Sequence, residues 1–252
     1  MEKQKRAKDG QPSLSITAAV ATIRLERPAE HNRIDPDDIP VLRRYLEEVN
    51  AMQQVRVLVF TGTGTKTFSS GFTVGAILQR LDRSFEDLLD AIEDFALPTI
   101  CALNGSAYGG ATDLALCCDF RIGVRGTVMF MPAARFGLHY YPGGLRRFVA
   151  AVGLAQAKRI FLTGQTLRAE EMLRIGFLTE LVRRRELASK VTEYVASLLE
   201  CEPKAVRSMK RQLNSIAAGD RKRALARGAY QASLRSKELS TRLAALAKRQ
   251  RP

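Results

Sequence analysis

Two short stretches of the chain put small residues where chemistry could use them: Phe68-Ser-Ser-Gly-Phe72 and Asn104-Gly-Ser-Ala-Tyr-Gly-Gly-Ala-Thr-Asp113. They follow the continuously apolar runs "VRVLVFTG" and "PTICALNG", respectively. A turn alone needs one glycine, whereas a backbone that approaches a ligand closely needs several, because glycine has no Cβ to hold the ligand off. In open α/β sheets, ligands gather at the carboxyl ends of strands. Two such turns there can aim two backbone N–H groups at one point, and helix starts beyond them add positive dipole. Two donors converging on one oxygen make an oxyanion hole, in which each is worth roughly 3 to 4 kcal/mol at the transition state. Asp113 is the one acidic residue of the second stretch. Its bland alternative is a carboxylate that satisfies the first amides of a helix.

Other site chemistries fail on spacing. "GTGTKT" lacks the glycine before Lys66 that a phosphate-binding P-loop needs, and Thr67 breaks the GxGxxG pattern. No GxSxG frames Ser69 or Ser70 as a nucleophile. The two histidines, His31 and His139, are too few for a multi-histidine metal centre. Four cysteines with no CxxC read as reduced core thiols.

The elements that must position these turns alternate. "SLSITAAVATIRLERP" has strand alternation, and "PDDIPVLRRYLEEVNAM" has helical spacing with Asp35 placed as N-cap before Pro36. "VRVLVFTG", "PTICALNG" and "DFRIGV" read as strands, the first two apolar enough to be buried on both faces. Helical stretches follow, from about Ser84 to Phe95 and in "ATDLALCC". The alternation argues an α/β fold with a largely parallel sheet. Beyond residue 130 the chain is mainly helical by spacing, with "FLTELV" extended. At 252 residues and 46% hydrophobic content it can bury a sizeable core. The reading divides it into a disordered N-terminus (1–11), an α/β core (12–199) and a helical C-terminal region (200–252). No apolar run approaches the roughly 20 residues of a membrane span, and the first ten residues lack a signal's apolar segment; a cytoplasmic protein with no membrane partner is expected.

The ordered set "LERPAEHN", "VRVLVFTGTGTKTFSSGFTV", "LNGSAYGGATDLALCCDFRIG", "PAARFGLHYYPGGLRRF" and "AKRIFLTGQTLRAEEMLRIGFLTELV" resembles the crotonase superfamily of enoyl-CoA hydratases and isomerases. The resemblance runs from about residue 14 to the end. It implies a crotonase-like spiral of ββα units, a C-terminal helical oligomerisation region building a homotrimer or hexamer, and an acyl-CoA thioester substrate. It also implies that the Phe72 and Gly110 amides form the oxyanion hole and that Gly71, Phe72, Thr73, Val74, Gly75, Gly110, Lys66 and Tyr140 bind substrate. A thioester carbonyl held by two amides collects negative charge as an enolate, and a carboxyl must then move protons. No cofactor is called for, coenzyme A being part of the substrate. Hydratases of this family carry two glutamates at positions that here are Asp113 and Ala133. Asp113 is the implied proton-transfer group, with about 1.5 Å less reach than glutamate; Ala133 can move no proton. One acid fits isomerisation, decarboxylation or assisted hydrolysis better than hydration. Tyr140 and Tyr141 stand where the family has small residues, with His139 beside them, as substitute acids or bases or as packing.

The formal net charge is +14, and from Pro203 onward fourteen Lys or Arg face only Asp220 and Glu238. Such a segment suits a polyanion or a set of solvated helix faces. The phosphates of coenzyme A are the simplest polyanion; by resemblance, Lys248 and Arg249 of "AKRQRP" reach a neighbouring subunit's nucleotide. Nucleic acid is not expected, because no aromatic-rich RNA motif accompanies the charge. A non-catalytic acyl-CoA binder of the same fold is the alternative, motivated by Ala133, and an RNA-binding homologue is the third.

Overall fold

The computed structural model describes residues 3–5 and 10–249, with side chains over 10–245. Strands β1 (Lys3–Lys5), β2 (Ser13–Thr17) and β3 (Val20–Leu25) open the chain, followed by helix α1 (Asp38–Ala51). Three ββα repeats come next, each a longer strand, a three-residue strand and a helix. The first is β4 (Val57–Gly62), β5 (Thr67–Ser69), the short α2 (Ile77–Arg80) and α3 (Arg83–Glu93). The second is β6 (Thr99–Leu103), β7 (Ser106–Tyr108) and α4 (Gly110–Cys117). The third is β8 (Phe120–Val124), β9 (Val128–Phe130) and α5 (Pro142–Thr163), which is broken at Gly153, whose φ is +78°. The chain continues through β10 (Leu167–Arg168), α6 (Ala169–Arg174), β11 (Glu180–Val182) and α7 (Leu187–Glu200). It ends in α8 (Pro203–Ala217), α9 (Arg221–Ala224), α10 (Gly228–Leu234) and α11 (Lys237–Arg249).

The longer strands form a seven-stranded sheet in the order β1-β2-β3-β4-β6-β8-β11, and the short ones form a second sheet, β10-β9-β7-β5. Pairing from β3 through β11 in the first sheet is parallel. β4 and β6 are buried throughout and largely apolar because both faces are covered, and successive side chains alternate between the two faces. Leu58, Phe60, Cys101 and Leu103 join the main core with α1, α3, α4 and α5. Val57, Val59, Ile100 and Ala102 face the other way, under Val191, Tyr194 and Val195 of α7.

Four details differ from the sequence reading. Lys3–Lys5, expected as unstructured, pairs antiparallel with β2; residues 1, 2 and 6–9 lie outside the described residues. "SLSITAAVATIRLERP" is two strands, turned at Ala18 with φ +51°. Helix α1 starts at Asp38, so Asp35 is not its N-cap; it instead accepts hydrogen bonds from Arg33 Nε (2.8 Å) and the Thr73 hydroxyl. The second sheet has no signal in the sequence, since its strands are two or three residues long.

Candidate active site

The two glycine turns sit one after β5 and the other after β7, parallel neighbours in the second sheet. In the first turn nearly every amide is already engaged. Ser70 N donates to His31 O (2.9 Å), Gly71 N to Ser69 Oγ (3.0 Å) and Thr73 N to Ile34 O (3.0 Å). Gly71 O accepts from Ile34 N (2.8 Å), so both sides of residue 72 are clamped to the strip before α1. The Phe72 amide has no partner among the described residues. Its ring is edge-packed on Phe85, 5.4 Å between centroids. Asp35 tightens the clamp through the Thr73 hydroxyl. Partial burial works to raise its pKa, but hydrogen bonds from Arg33 and Thr73 and the charge of Arg27 outweigh that and lower it.

In the second turn Gly109 N donates to Phe130 O and Thr112 N to Gly109 O, each at 2.9 Å. The dihedrals of Gly109, +53° and −129°, suit glycine alone. Gly110 is the first residue of α4, and its amide is likewise unpartnered among the described residues, as the first amides of a helix are until something caps them. The two turns abut. A Cβ on Gly71, whose φ is +79°, would lie 2.6 Å from Gly110 N. A Cβ on Gly110 would lie 3.6 Å from Phe72 N and 2.8 Å from the Phe85 ring. Both glycines are therefore required by close approach, and two free N–H groups are left side by side.

Beside them lies a cavity of about 330 Å³. Phe72, Gly109 and Gly110 form one wall; Phe85, Met131, Ala133, Leu138, Tyr140 and Tyr141 contribute the rest of its interior. Asp82, Arg83, Glu86 and the exposed His139 stand at its polar margin. Asp113, the carboxylate implied for proton transfer, is not among the lining residues. It is fully buried one layer behind the tyrosines. Its Oδ1 accepts from Arg147 Nε (2.8 Å); its Oδ2 accepts from Arg147 Nη2 (3.1 Å), Tyr140 Oη (3.3 Å) and Tyr141 Oη. Arg147, itself only 2% exposed, also donates to Asp90 Oδ1 (2.7 Å) and Glu93 Oε2 (3.0 Å). Burial acts against the Arg147 charge, but the hydrogen bonds and charge of Asp113 overcome it and raise the pKa. Burial, then the neighbouring tyrosine and Asp113, drive the Tyr141 pKa far up; burial and Asp113 do the same for Tyr140, so both stay neutral phenols.

The other candidates are scattered. Val74 and Tyr140 line the cavity; Gly71 supports it from beneath, Thr73 turns to Ile34 and Asp35, and Gly75 points into open space. Lys66 is exposed and off the wall. The side chains of Lys248 and Arg249 lie outside the described residues. Sequence reasoning missed Phe85, Met131 and Arg147. Phe85 had a readable signal in the helical spacing of its segment, whereas Arg147, in "GLRRF", had none. Among the described residues no cluster of three His, Cys, Asp or Glu could hold a metal, and no helix is long and apolar enough to cross a membrane.

Two ββα turns with unpartnered amides at the ends of neighbouring strands, beside one largely apolar cavity, define the class: an α/β protein with two main-chain donors left free at a single wall. The family model described as enoyl-CoA hydratase/isomerase matches residues 15–241. The chain belongs to that family, within the crotonase superfamily. It is similar to the crotonyl-CoA hydratase of Syntrophomonas wolfei, 31% identical over 214 residues that cover 82% of each chain. The short-chain-enoyl-CoA hydratase of Clostridium acetobutylicum is 28% identical over 202 residues, 77% of each chain. The same fold occurs in the crystal structure of an enoyl-CoA hydratase from Bacillus anthracis, with a TM-score of 0.84, 24% identity and coverage of 96% of this chain and 98% of that one.

Proposed function

We propose that this chain is an acyl-CoA thioester enzyme of the enoyl-CoA hydratase/isomerase type, in which the Phe72 and Gly110 amides hold the thioester oxygen and stabilise an enolate. The observation that carries this reading is the pair of unpartnered amides, on abutting turns, at the wall of a largely apolar cavity. Donors fixed before reaction need no reorganisation as charge develops, which is where such holes gain their effect. The hydratase names of the relatives support a CoA thioester as the ligand.

The reaction is one that needs a single proton-moving unit. Ala133 lies on the cavity wall where the resemblance puts a second glutamate, so no side chain there activates water. Double-bond shift or decarboxylation fits this wall better than hydration does, and Asp113 acts from behind the tyrosines. Coenzyme A phosphates would take up part of the basic charge beyond Pro203. The exposed apolar stripe of Met209, Leu213 and Ile216 on α8 suits self-association, as a trimer or a dimer of trimers.

The test is titration with butyryl-CoA and crotonyl-CoA, followed by turnover of 2-enoyl, 3-enoyl and malonyl-type thioesters. Binding with turnover of at least one class is expected; absence of binding to any thioester ends the reading. A non-catalytic acyl-CoA binder is the second reading, favoured by Ala133 and by the fully engaged oxygens of Asp113. It predicts thermal stabilisation by these esters with no turnover of any.

A further inference from the structure

The reading of the cavity as a thioester site leaves open which atom moves the proton. Asp113 cannot touch a substrate directly, because it is fully buried and off the wall. What separates it from the cavity is a stacked pair, Tyr140 and Tyr141, with ring centroids 4.5 Å apart. Both rings line the cavity and both hydroxyls donate to the same oxygen, Asp113 Oδ2. Tyr141 is the better placed: it is half-buried rather than buried, and Arg147 Nη2 also donates to its oxygen at 3.4 Å. The other protic side chains on the wall, among them Ser70, Glu86 and His139, have no bond to this buried network among the described residues.

We propose that Tyr141 is the proton-transferring residue of this site, and that Asp113 and Arg147 are positioning residues that work through it. In the forward sense the substrate's α C–H bond breaks and its proton goes to Tyr141 Oη, while the hydroxyl proton of Tyr141 passes to Asp113 Oδ2. The electron pair of the C–H bond moves into the thioester, onto the oxygen held by the Phe72 and Gly110 amides. In the reverse sense Asp113 returns its proton to Tyr141 as Tyr141 protonates the α-carbon. No free phenolate forms, in keeping with burial that keeps Tyr141 neutral. The charges allow the relay. Arg147 is shared among Asp113, Asp90 and Glu93, and Glu93 also binds Arg146. Three carboxylates thus face two guanidinium groups, and a proton arriving at Asp113 evens the balance.

Exchange of the α-protons of butyryl-CoA in D₂O, followed by NMR, reads this step whatever the full reaction is, and calorimetric titration reads binding apart from it. Tyr141→Phe removes one oxygen and keeps the ring. It is expected to bind butyryl-CoA within about threefold of wild type and to lose exchange by 10²- to 10⁴-fold, the range of a positioned acid–base group. Asp113→Asn, where it folds, should lose exchange similarly, again with binding kept. Exchange by Tyr141→Phe at the wild-type rate overturns the proposal, as does a wild type that binds butyryl-CoA and exchanges nothing. Where butyryl-CoA does not bind, exchange is read on another saturated acyl-CoA that does; a wild type that binds no thioester sinks the thioester reading, and this proposal with it.

Discussion

Replacing Arg147 by methionine keeps the unbranched stem of the side chain and removes the guanidinium that holds Asp113. In the wild type both side chains are nearly sealed from solvent, 2% and 0% exposed, and share two hydrogen bonds of 2.8 and 3.1 Å. The variant leaves a buried carboxylate with only tyrosine hydroxyls as donors, and stranding one partner of a buried pair costs about 3 to 5 kcal/mol. Against a total stability of about 5 to 15 kcal/mol this is a large fraction. At about 2 to 4 °C per kcal/mol for a chain of this size, it lowers Tm by about 6 to 20 °C. Asp113→Asn should cost less, about 1.5 to 3 kcal/mol, because Arg147 keeps Asp90 and Glu93 as partners. The double variant Asp113→Asn with Arg147→Met closes the cycle, removes both charges and should recover much of the loss, a coupling above about 1.5 kcal/mol. Urea unfolding at one fixed protein concentration measures all three. A cost below about 1 kcal/mol for Arg147→Met, or strict additivity in the double variant, would refute the account of Asp113 as a carboxylate held by this arginine.

Gly71→Ala puts a Cβ 2.6 Å from Gly110 N on a residue with φ +79°; about 1 to 2 kcal/mol of backbone strain and a displaced amide should cut kcat/KM for a turned-over thioester by about 10²-fold, and unchanged kinetics would count against the hole. Tyr140 and Tyr141 have folded pKa values raised above the unfolded value near 10. Their contribution is therefore intact below pH 10, and above it the unfolded chain alone loses protons, so stability falls by about 1.4 kcal/mol per pH unit for each. Tyr140→Phe with Tyr141→Phe should flatten that alkaline decline in denaturant titrations at pH 9 to 11. Leu213→Lys on the exposed stripe of α8 should shift sedimentation toward the monomer; an unaltered oligomer would remove α8 from the interface.

How much of this could be read beforehand follows from whether a feature is local in the chain. The strands β4 and β6 were legible because burial on two faces leaves largely apolar runs that need no partner to be recognised. The α3 and α4 helices were legible from spacing. The strands β5, β7 and β9 were not, because at three residues there is no period to see, and their pairing is fixed by the longer strands before them. Asp35 has the composition of an N-cap, yet the structure uses it to clamp Thr73, a partner 38 positions away.

The same division runs through the site and explains its make-up. The amides of Phe72 and Gly110 belong to the main chain, so what the sequence displays is their permission: glycines at 71, 109 and 110, where any Cβ would collide or strain. The proton path is made of side chains brought together across 28 and 34 positions, Tyr141 and Arg147 onto Asp113. Arg147 reads in isolation as one more solvated cation. One local trace of the meeting exists in Gly144, where a Cβ would collide with Tyr140 Cε1 and lie 2.8 Å from Asp113 Oδ2, so the start of α5 can close on the ring and the carboxylate only with glycine there. Gly144→Ala should therefore push Tyr140 and Asp113 aside and loosen the bond between Asp113 and Tyr141. It should depress α-proton exchange more than it depresses butyryl-CoA affinity, since the Phe72 and Gly110 amides lie on other turns.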